Sequence, residues 1–301
     1  MTYSIVARDN ASGQLGVGAQ SHFFGVGRLA GWLEPGVGAV ATQAFVNINF
    51  GPRSLEGLRL GGGSDEVLGD LIESDEMRQY RQLAIVKADG TCAAYTGDRC
   101  VAGAGHRIGD GVVVLGNMLA SPKVVDAMML AYNETRGVLA DRILAALTAA
   151  EATGGDARGS QSAFLRVVSG SRSCHPWREV VADLRVDDHV DPVGELARLL
   201  PRLRAFEAVG SVMFAQGIML GEFHASESEV ERALEQLDGA AEVLRDNHEA
   251  AFWRAVLLAR AGRADDARSA FADLFAVAGH LRPFARSVGA AGVFDDVEVY
   301  L

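Results

Sequence analysis

A threonine stands second in the sequence, where it could act as a nucleophile once the initiator methionine is removed. The chain begins Met1-Thr2, and we expect Met1 to be cleaved because a side chain as small as that of threonine permits its removal. The hydroxyl of Thr2 would then lie beside its own α-amine, whose reference pKa of about 8 is close to neutral pH. Such an amine accepts the hydroxyl proton without a histidine. The first two residues therefore predict an N-terminal nucleophile.

Other hydroxyl groups become the candidates if the methionine is retained. Ser21, Thr42 and Ser162 would then be the alternative nucleophiles, or the protein would bind a ligand without cleaving it. Ser21 falls in GVGAQSHFFGVG, a stretch typical of close backbone packing, and we regard it as a substrate contact and a reserve nucleophile. The mass of the intact protein separates the two cases.

Three side-chain amides could stabilise the oxyanion that forms when a hydroxyl attacks an amide carbonyl. Gln43 and Asn47 lie at and after the end of the β-prone run GVGAVATQAF, and Asn117 lies in LGNMLAS, where a strand is expected to give way to a helix. Each carries an N–H donor for an oxyanion or for a substrate carbonyl. The alternative is that they cap a strand end or a turn. We predict all three in the catalytic set.

The segment GGDARGSQSA is the richest polar cluster in the first half of the chain. It places Asp156, Gln161 and Ser162 between the end of a predicted helix and a β-prone run. We predict Asp156 and Ser162 in the catalytic set and Gln161 among the substrate contacts. The alternative for Asp156 is a surface ion pair with Arg158, which would contribute little to stability.

Two histidines of the first half, His22 and His106, lie near glycine-rich stretches. Each could shuttle protons or contact substrate, and the alternative for each is a structural role. The stretch GAGHRIGDG lacks the GxGxxG and GxxxxGK[ST] patterns that cradle phosphates. The three cysteines form no CxxC pair, and no HExxH motif occurs. We therefore predict no metal ion and no cofactor.

Composition excludes several classes of partner. A net charge of −11 without a basic stripe argues against nucleic acid. No apolar run approaches the roughly 20 residues that a membrane helix needs, so we expect no membrane partner. An odd number of cysteines without an export signal fits a reducing compartment, and we expect a cytoplasmic protein.

Hydrophobic period and turn residues predict the elements. We expect strands over 3–8, 15–21, 36–45, 82–87, 91–96, 111–115, 161–168 and 179–186, and helices over 52–60, 64–74, 122–132 and 139–152. Strands grouped around two pairs of helices, with short connections, predict an α+β fold with antiparallel sheets. A four-layer αββα sandwich satisfies the pattern, and a two-layer α+β fold is the alternative.

The composition of the sequence changes near residue 190. The part before it is glycine-rich, and the part after it is rich in alanine and leucine, with the period of a helix. We therefore predict two domains, residues 1–190 and 191–301. In the second, EAAFWRAVLLARAGRADDARSAFADLF has the spacing of a tetratricopeptide helix pair at Ala255, Gly262, Ala267 and Phe271. The second domain is expected to be small, all-α and tetratricopeptide-like.

Six segments occur in an order that resembles the domain of unknown function 1028 family, whose members are grouped by fold with the N-terminal nucleophile (Ntn) hydrolases. The segments are MTYSIVARD, GVGAVATQAFVN, FGPRSLEGLRLG, AAYTGDRCVAGAGHRIGDG, GNMLAS and GGDARGSQSA. The resemblance covers residues 2 to about 192. The helical tail looks like the C-terminal extension of longer members.

The resemblance implies an αββα Ntn-hydrolase sandwich whose first strand presents residue 2 at the end of a cleft, with amide hydrolysis as the expected chemistry. It also implies a late loop whose carboxylate and hydroxyls steady the terminal amine, a position that Asp156 and Ser162 match. Arg8 would orient the nucleophile in place of the lysine familiar from proteasome-like relatives, since no lysine stands where that role requires one. No substrate is implied.

We therefore expect an Ntn-type amidohydrolase that cleaves the C–N bond of a small-molecule or peptide-like amide, with Thr2 as nucleophile. The alternative is a non-catalytic protein that binds a small ligand or acts as a scaffold, recruiting a partner through its helical tail. The two-part organisation also leaves room for a homo-oligomer in which sandwich and tail pack against a second copy.

Overall fold

The computed structural model describes residues 2–301 and divides the chain into two compact units. The first extends to Arg198 and the second runs from Leu199 to Leu301. All strands of the described residues lie in the first unit, together with four complete helices, whereas the second unit is helical. This mixture confirms the predicted α+β class. No helix within residues 2–301 is both long and apolar enough to pass through a lipid bilayer.

The strands form two antiparallel sheets. In chain order they are β1 (Thr2–Arg8), β2 (Leu15–Ser21), β3 (Gly31–Glu34), β4 (Gly38–Ala44), β5 (Arg81–Lys87), β6 (Cys92–Thr96), β7 (Gly105–Gly109), β8 (Val112–Asn117), β9 (Ser162–Val168) and β10 (Val180–Val186). The larger sheet has the order β10-β9-β2-β1-β8-β7 and the smaller one the order β3-β4-β5-β6. β1 is therefore an interior strand, paired with β2 on one side and β8 on the other.

Alternation along β1 decides which side chains face which layer. Thr2, Ser4 and Val6 point to one face of the sheet and Tyr3 and Ile5 to the other, because successive residues of a strand alternate. Val6 belongs to an apolar core made with residues of both sheets. The face of β1 that carries Thr2 and Ser4 is therefore directed toward the smaller sheet.

Four helices cover the outer faces of the two sheets. They are α1 (Phe50–Arg59), α2 (Ser64–Glu73), α3 (Val124–Glu134) and α4 (Leu139–Ala152). α1 and α2 pack on the smaller sheet through a core that includes Leu58, Leu71 and Ile85. α3 and α4 pack on β1, β2 and β8 of the larger sheet. The layers of this unit therefore follow the order helix, sheet, sheet, helix.

Two glycines of β2 allow α4 to approach the larger sheet closely. A Cβ on Gly16 would lie 2.4 Å from Ile143 Cδ1, and a Cβ on Gly18 would lie 2.6 Å from Ile143 Cγ2. Both distances are shorter than van der Waals contact, so side chains at these positions would push the helix away from the sheet. The close approach brings the end of α4 to the start of β1, where Tyr3 Oη donates a hydrogen bond to Glu151.

The second unit is built from helices around an apolar, phenylalanine-rich core. Its helices are α5 (Pro192–Met213), within which the division between the units falls, α6 (Glu227–Leu244), α7 (Glu249–Arg260), α8 (Ala264–Val277) and α9 (Arg282–Ala290). The ring of Phe271 is stacked on the rings of Phe275 and Phe294, with centroids 5.5 and 5.8 Å apart. These contacts place the centre of the core on α8.

Two of the observed strands, β3 and β7, are not predicted by the sequence patterns. Both lie at the edge of a sheet. β7 has the sequence GHRIG and comes from the glycine-rich stretch around His106, and no residue of it is fully buried. An edge strand with little burial lacks the apolar alternation by which a strand is identified.

Candidate active site

Thr2 is the first residue of β1 and lies where the two sheets face each other. Its partner across the β1–β8 pair is Asn117. Only 7% of its surface is exposed, and its hydroxyl donates a hydrogen bond to Ser21 Oγ over 3.1 Å. The sheet therefore holds the Thr2 hydroxyl in a buried position next to a second hydroxyl. Met1, whose removal the sequence predicts, lies outside the described residues.

Two side-chain amides hold the carbonyl group of Thr2. Gln43 Nε2 donates to this oxygen over 3.1 Å, and Asn117 Nδ2 does so over 3.5 Å. The same two nitrogens also donate to Gln82 Oε1, over 2.7 and 3.0 Å. Gln43 and Asn117 thus direct their N–H groups to atoms of the protein. This geometry suits groups that position residue 2 rather than the oxyanion donors that the sequence predicts.

Gln82 lies at the centre of this amide network and is not predicted by the sequence patterns. It is part of β5, is fully buried, and donates through Nε2 to the carbonyl of Gly116 over 2.8 Å. Gln43 Oε1 in turn accepts a hydrogen bond from Ser4 Oγ over 2.5 Å. The network therefore links the two sheets next to Thr2. A glutamine at the head of an apolar run carries no local signal that separates it from an exposed strand end.

One acceptor of the network has no donor among residues 2–301. Asn117 Oδ1 is buried and receives no hydrogen bond from that part of the chain. Asn117 stands opposite Thr2 in the antiparallel register, so the two side chains lie on the same face of the sheet. A buried acceptor left without a donor costs about 1–3 kcal/mol.

A cavity of about 90 Å³ opens beside Thr2. Its polar lining consists of Thr2, Ser21, Thr42 and Gln43, and its other lining residues are apolar. Thr42 is fully buried, and its hydroxyl donates to the carbonyl of Asn47 over 3.2 Å. Hydroxyl groups from three strands, β1, β2 and β4, therefore meet at one small cavity.

The backbone is strained at two strand ends beside this site. Ala44, directly after Gln43, has a φ of 67°, and Met118, directly after Asn117, has a φ of 52°. Residues other than glycine adopt such angles at a cost of roughly 1–3 kcal/mol, and they do so preferentially at functional sites. Ala44 also lines the cavity. The strain therefore coincides with the two amides that hold Thr2.

Residues 2–196 match a family of unknown function, DUF1028. The chain belongs to the DUF1028 family. A crystal structure of a protein from Silicibacter pomeroyi assigned to DUF1028 is similar, with a TM-score of 0.60 and 28% sequence identity over 74% of this chain and 91% of that one. No protein of curated function matches the sequence. The family match covers the unit that carries Thr2.

In this DUF1028 chain, the segment GGDARGSQSA holds the loop that follows β2. Asp156 is buried, and Oδ2 of its carboxylate accepts the backbone N–H of His22 over 3.0 Å. Ser162 Oγ donates to the carbonyl of Phe23 over 2.5 Å and accepts the N–H of Val26 over 3.0 Å. Neither Asp156 nor Ser162 lines the cavity. They support the loop that carries Phe23, and Phe23 does line it.

Two further predicted residues are engaged away from the cavity. Gln161 Nε2 donates to Asp188 Oδ1 over 3.3 Å, and Asn47 Nδ2 donates to Asp75 Oδ2 over 3.3 Å. The carbonyl of Asn47 is nevertheless the acceptor for the Thr42 hydroxyl. Asn47 therefore acts on the site through Thr42 and not through its own amide.

Arg8 lies at the opposite end of β1 from Thr2. Because each strand residue advances the chain by about 3.3 Å, these two residues are roughly 20 Å apart. Arg8 Nε donates instead to the carbonyl of Ala88 over 2.7 Å. The expectation that Arg8 orients the nucleophile is therefore not met.

His106 contacts the network from β7, and His22 is exposed. His106 Nδ1 lies 2.8 Å from Thr96 Oγ1, and that oxygen accepts a hydrogen bond from Gln82 Nε2 over 3.0 Å. Burial, and then the charge of Arg107, lowers the pKa of His106 from its usual value. His106 is therefore neutral at pH 7 and belongs to the support of the amide network, while the side chain of His22 does not line the cavity.

The outer face of β1 carries a second polar contact that the sequence patterns do not predict. Tyr3 Oη donates to Glu151 Oε1 over 2.5 Å, and Ser160 Oγ lies 3.1 Å from both oxygens of the same carboxylate. Burial, and then Glu151, raises the pKa of Tyr3 well above its usual value. The phenol therefore remains a donor. It anchors β1 one residue after Thr2.

Proposed function

We propose that the first unit is an Ntn-type amidohydrolase whose nucleophile is Thr2 after removal of Met1. The observation that carries this proposal is the position of the Thr2 hydroxyl, at the head of an interior strand and beside a cavity between two sheets. The layer order of helix, sheet, sheet and helix fits an Ntn αββα sandwich. The clamp that Gln43 and Asn117 place on the Thr2 carbonyl gives residue 2 one fixed orientation.

In the first half-reaction, Thr2 Oγ attacks the carbonyl carbon of the substrate amide, and its proton passes to the α-amine of the same residue. The new O–C bond turns the carbonyl into a tetrahedral oxyanion. The α-ammonium then gives its proton to the leaving nitrogen as the C–N bond breaks. The amine departs, and an ester joins the acyl group to Thr2.

In the second half-reaction, the α-amine takes a proton from water, and the resulting hydroxide attacks the ester carbon. The ester bond breaks, the carboxylic acid leaves, and Thr2 Oγ recovers a proton from the α-ammonium. Asn117 Oδ1 accepts a hydrogen bond from the ammonium and orients it, which would satisfy the buried acceptor that has no donor within residues 2–301. Asn117 is therefore a positioning residue in this scheme.

The oxyanion requires a donor on the cavity side of Thr2. We assign this role to the hydroxyl of Thr42, which lines the cavity on the strand that faces β1 and would exchange its hydrogen bond to the Asn47 carbonyl for one to the oxyanion. Ser21 accepts the hydrogen bond of the Thr2 hydroxyl in the resting site, and this proton turns from Ser21 to the α-amine as Thr2 Oγ attacks. Gln43 maintains the position of the Thr2 carbonyl throughout.

The experiment compares the native chain with the Thr2→Ala and Thr2→Ser variants on a panel of acyl p-nitroanilides. All three second residues are small enough for methionine removal, and intact mass verifies that Met1 is absent. We expect Thr2→Ala to lower kcat/KM at least about 1,000-fold and Thr2→Ser to retain activity within about tenfold. Activity should rise with pH through about 8, the reference pKa of an α-amine.

Unchanged turnover by Thr2→Ala would reject the proposed nucleophile, as would full activity in a chain that still carries Met1. A protein that binds amides in the cavity without cleaving any of them would correspond to the alternative, a small-ligand-binding protein.

A further inference from the structure

The cavity beside Thr2 is apolar apart from the hydroxyls and the amide already described. Its remaining lining residues are Phe23, Val26, Leu29, Ala30, Ala44 and Val46. Among residues 2–301, no ionisable side chain lines it. A charged group on the acyl chain would lose its hydration there without an ionisable side chain to pair with, which is unfavourable. The cavity therefore discriminates against charged groups.

The volume of the cavity limits how much of an acyl chain it can cover. An apolar cavity of about 150 Å³ holds benzene, which corresponds to roughly 25 Å³ for each non-hydrogen atom. At about 90 Å³, the cavity beside Thr2 therefore accommodates roughly three or four such atoms. This is the size of a short alkyl chain and is smaller than an aromatic ring.

The order of bond breaking indicates which part of a substrate the cavity receives. The leaving amine must reach solvent before water can attack the ester, whereas the acyl group remains attached to Thr2 Oγ through both half-reactions. The apolar space beside Thr2, which is open on one side, therefore suits the group that stays. Phe23, which is 52% exposed, is the lining residue most accessible to solvent, so we expect the amine to depart on its side.

We propose that the substrates of this site are amides of small, uncharged aliphatic acids whose acyl side chain has three or four carbon atoms, such as butanoyl and pentanoyl amides. This inference rests on the proposed function and specifies its substrate class. Leu29 is the specificity-determining residue, because it is the largest aliphatic side chain in the lining.

The experiment measures kcat/KM for a series of straight-chain acyl p-nitroanilides from acetyl to decanoyl. It also compares 4-methylpentanoyl p-nitroanilide with succinyl p-nitroanilide, its charged counterpart with the same number of non-hydrogen atoms. We expect a maximum at butanoyl or pentanoyl, with values at least about tenfold lower for acetyl and for octanoyl. The succinyl compound should be cleaved at least about 100-fold less efficiently than the 4-methylpentanoyl compound.

Leu29→Ala should move the maximum toward hexanoyl or heptanoyl, whereas Leu60→Ala, at an 82% exposed position, should leave it unchanged. A flat dependence on acyl length, a preference for succinyl, or a dependence on amine size in place of acyl size would overturn the inference.

A second measurement separates this inference from the proposed function. The Thr2→Ala protein is titrated with butanamide, pentanamide, octanamide and succinamate, and binding is followed by ligand-detected NMR. Preferential binding of the two short amides, without turnover of any anilide by the native protein, would support the acyl pocket and reject the hydrolase. Turnover that depends on Thr2 but shows no preference for short acyl groups would support the hydrolase and reject the acyl pocket.

Discussion

The two units of the chain bury different kinds of side chain. Of the residues from 2 to 301, twelve polar ones are buried, and all twelve lie in the first unit. The core of the second unit consists of alanine, aliphatic and aromatic side chains centred on Phe271. Both cores are closed to solvent, but among residues 2–301 buried serine, threonine, asparagine, glutamine and aspartate side chains occur only in the first unit.

This difference separates polar side chains that hold other groups in position from apolar side chains that only fill a core. A buried polar group destabilises a fold unless it is paired, so such groups are concentrated where their position matters. Ser4, Gln43, Gln82 and Asn117 bond to one another in a single network, which ends on the carbonyl of Thr2. The comparison therefore predicts that substitutions in the two cores have opposite signatures.

A cavity in the aromatic core should change stability and leave chemistry intact. Phe271→Ala removes a fully buried ring and should lower the free energy of unfolding of the second unit by about 3–5 kcal/mol, measured by urea denaturation. The kcat/KM of the folded protein should not change. Phe214→Ala is the control, since Phe214 is 68% exposed, and should change stability by less than about 0.5 kcal/mol. Loss of turnover by folded Phe271→Ala protein would remove the distinction between the units.

Thr42→Val should lower activity and leave stability almost unchanged. Valine keeps the shape of the side chain but lacks the hydroxyl that we assign to the oxyanion, so kcat should fall by roughly 100-fold with little change in KM. The lost hydrogen bond to Asn47 should cost only about 1 kcal/mol of stability. Thr148→Val, on the exposed face of α4, is the matched control and should alter neither quantity. An unchanged kcat in Thr42→Val would assign the oxyanion to another donor.

Gln82→Leu should lower both stability and activity, because Gln82 supports the amide network without lining the cavity. Its loss leaves Gln43 and Asn117 each without one acceptor, and we expect a destabilisation of about 1–3 kcal/mol. Since the Thr2 carbonyl is then held less firmly, kcat should fall by roughly tenfold. Gln236→Leu makes the same chemical change at an exposed position of α6 and should have no effect on kcat. Full activity in Gln82→Leu would show that the amide network serves the fold alone.

The smallest expected effect is on the pH dependence of stability, to which His106 contributes. Burial, followed by the charge of Arg107, places the pKa of His106 in the folded protein below its usual value of 6.5. Between that lower pKa and 6.5 the unfolded chain binds more protons than the folded one. The contribution of His106 to the stability of the fold is therefore fully present above pH 6.5, and it is lost as the pH falls through the pKa of folded His106.

His106→Asn should flatten this decline in urea midpoints measured downward from pH 6.5, whereas His280→Asn, at an exposed position, should leave it in place. If both variants keep the full decline, a different group near the network is responsible for it.

Local patterns predict the elements of this chain best where a strand or helix is buried on one face. The β1–β2 hairpin and α4 are predicted almost to the residue, because apolar alternation or helical period is flanked by the turn residues DNASG or by glycines. The edge strands β3 and β7 are missed because they are short and only partly buried. Partial burial leaves little periodicity to detect.

The site was only partly predictable for a different reason, which is that its contacts join distant parts of the chain. Thr2, Gln43 and Asn117 are predicted from residue type and position, but their common partner Gln82 is recognisable only when the two sheets are brought together. For Arg8 the prediction fails for the opposite reason. Arg8 is near Thr2 in the sequence, but the extended strand β1 places the two residues far apart. Residue types thus indicate the candidates, and the register of the strands selects among them.

The interior position of β1 also sets the timing of maturation. A peptidase that cleaves after Met1 must grip an extended, accessible chain, and β1 is hydrogen-bonded to a neighbour along both edges, with Thr2 almost fully covered. Under the proposed function, we therefore expect Met1 to be removed most readily before β1 is paired, while this segment is still extended.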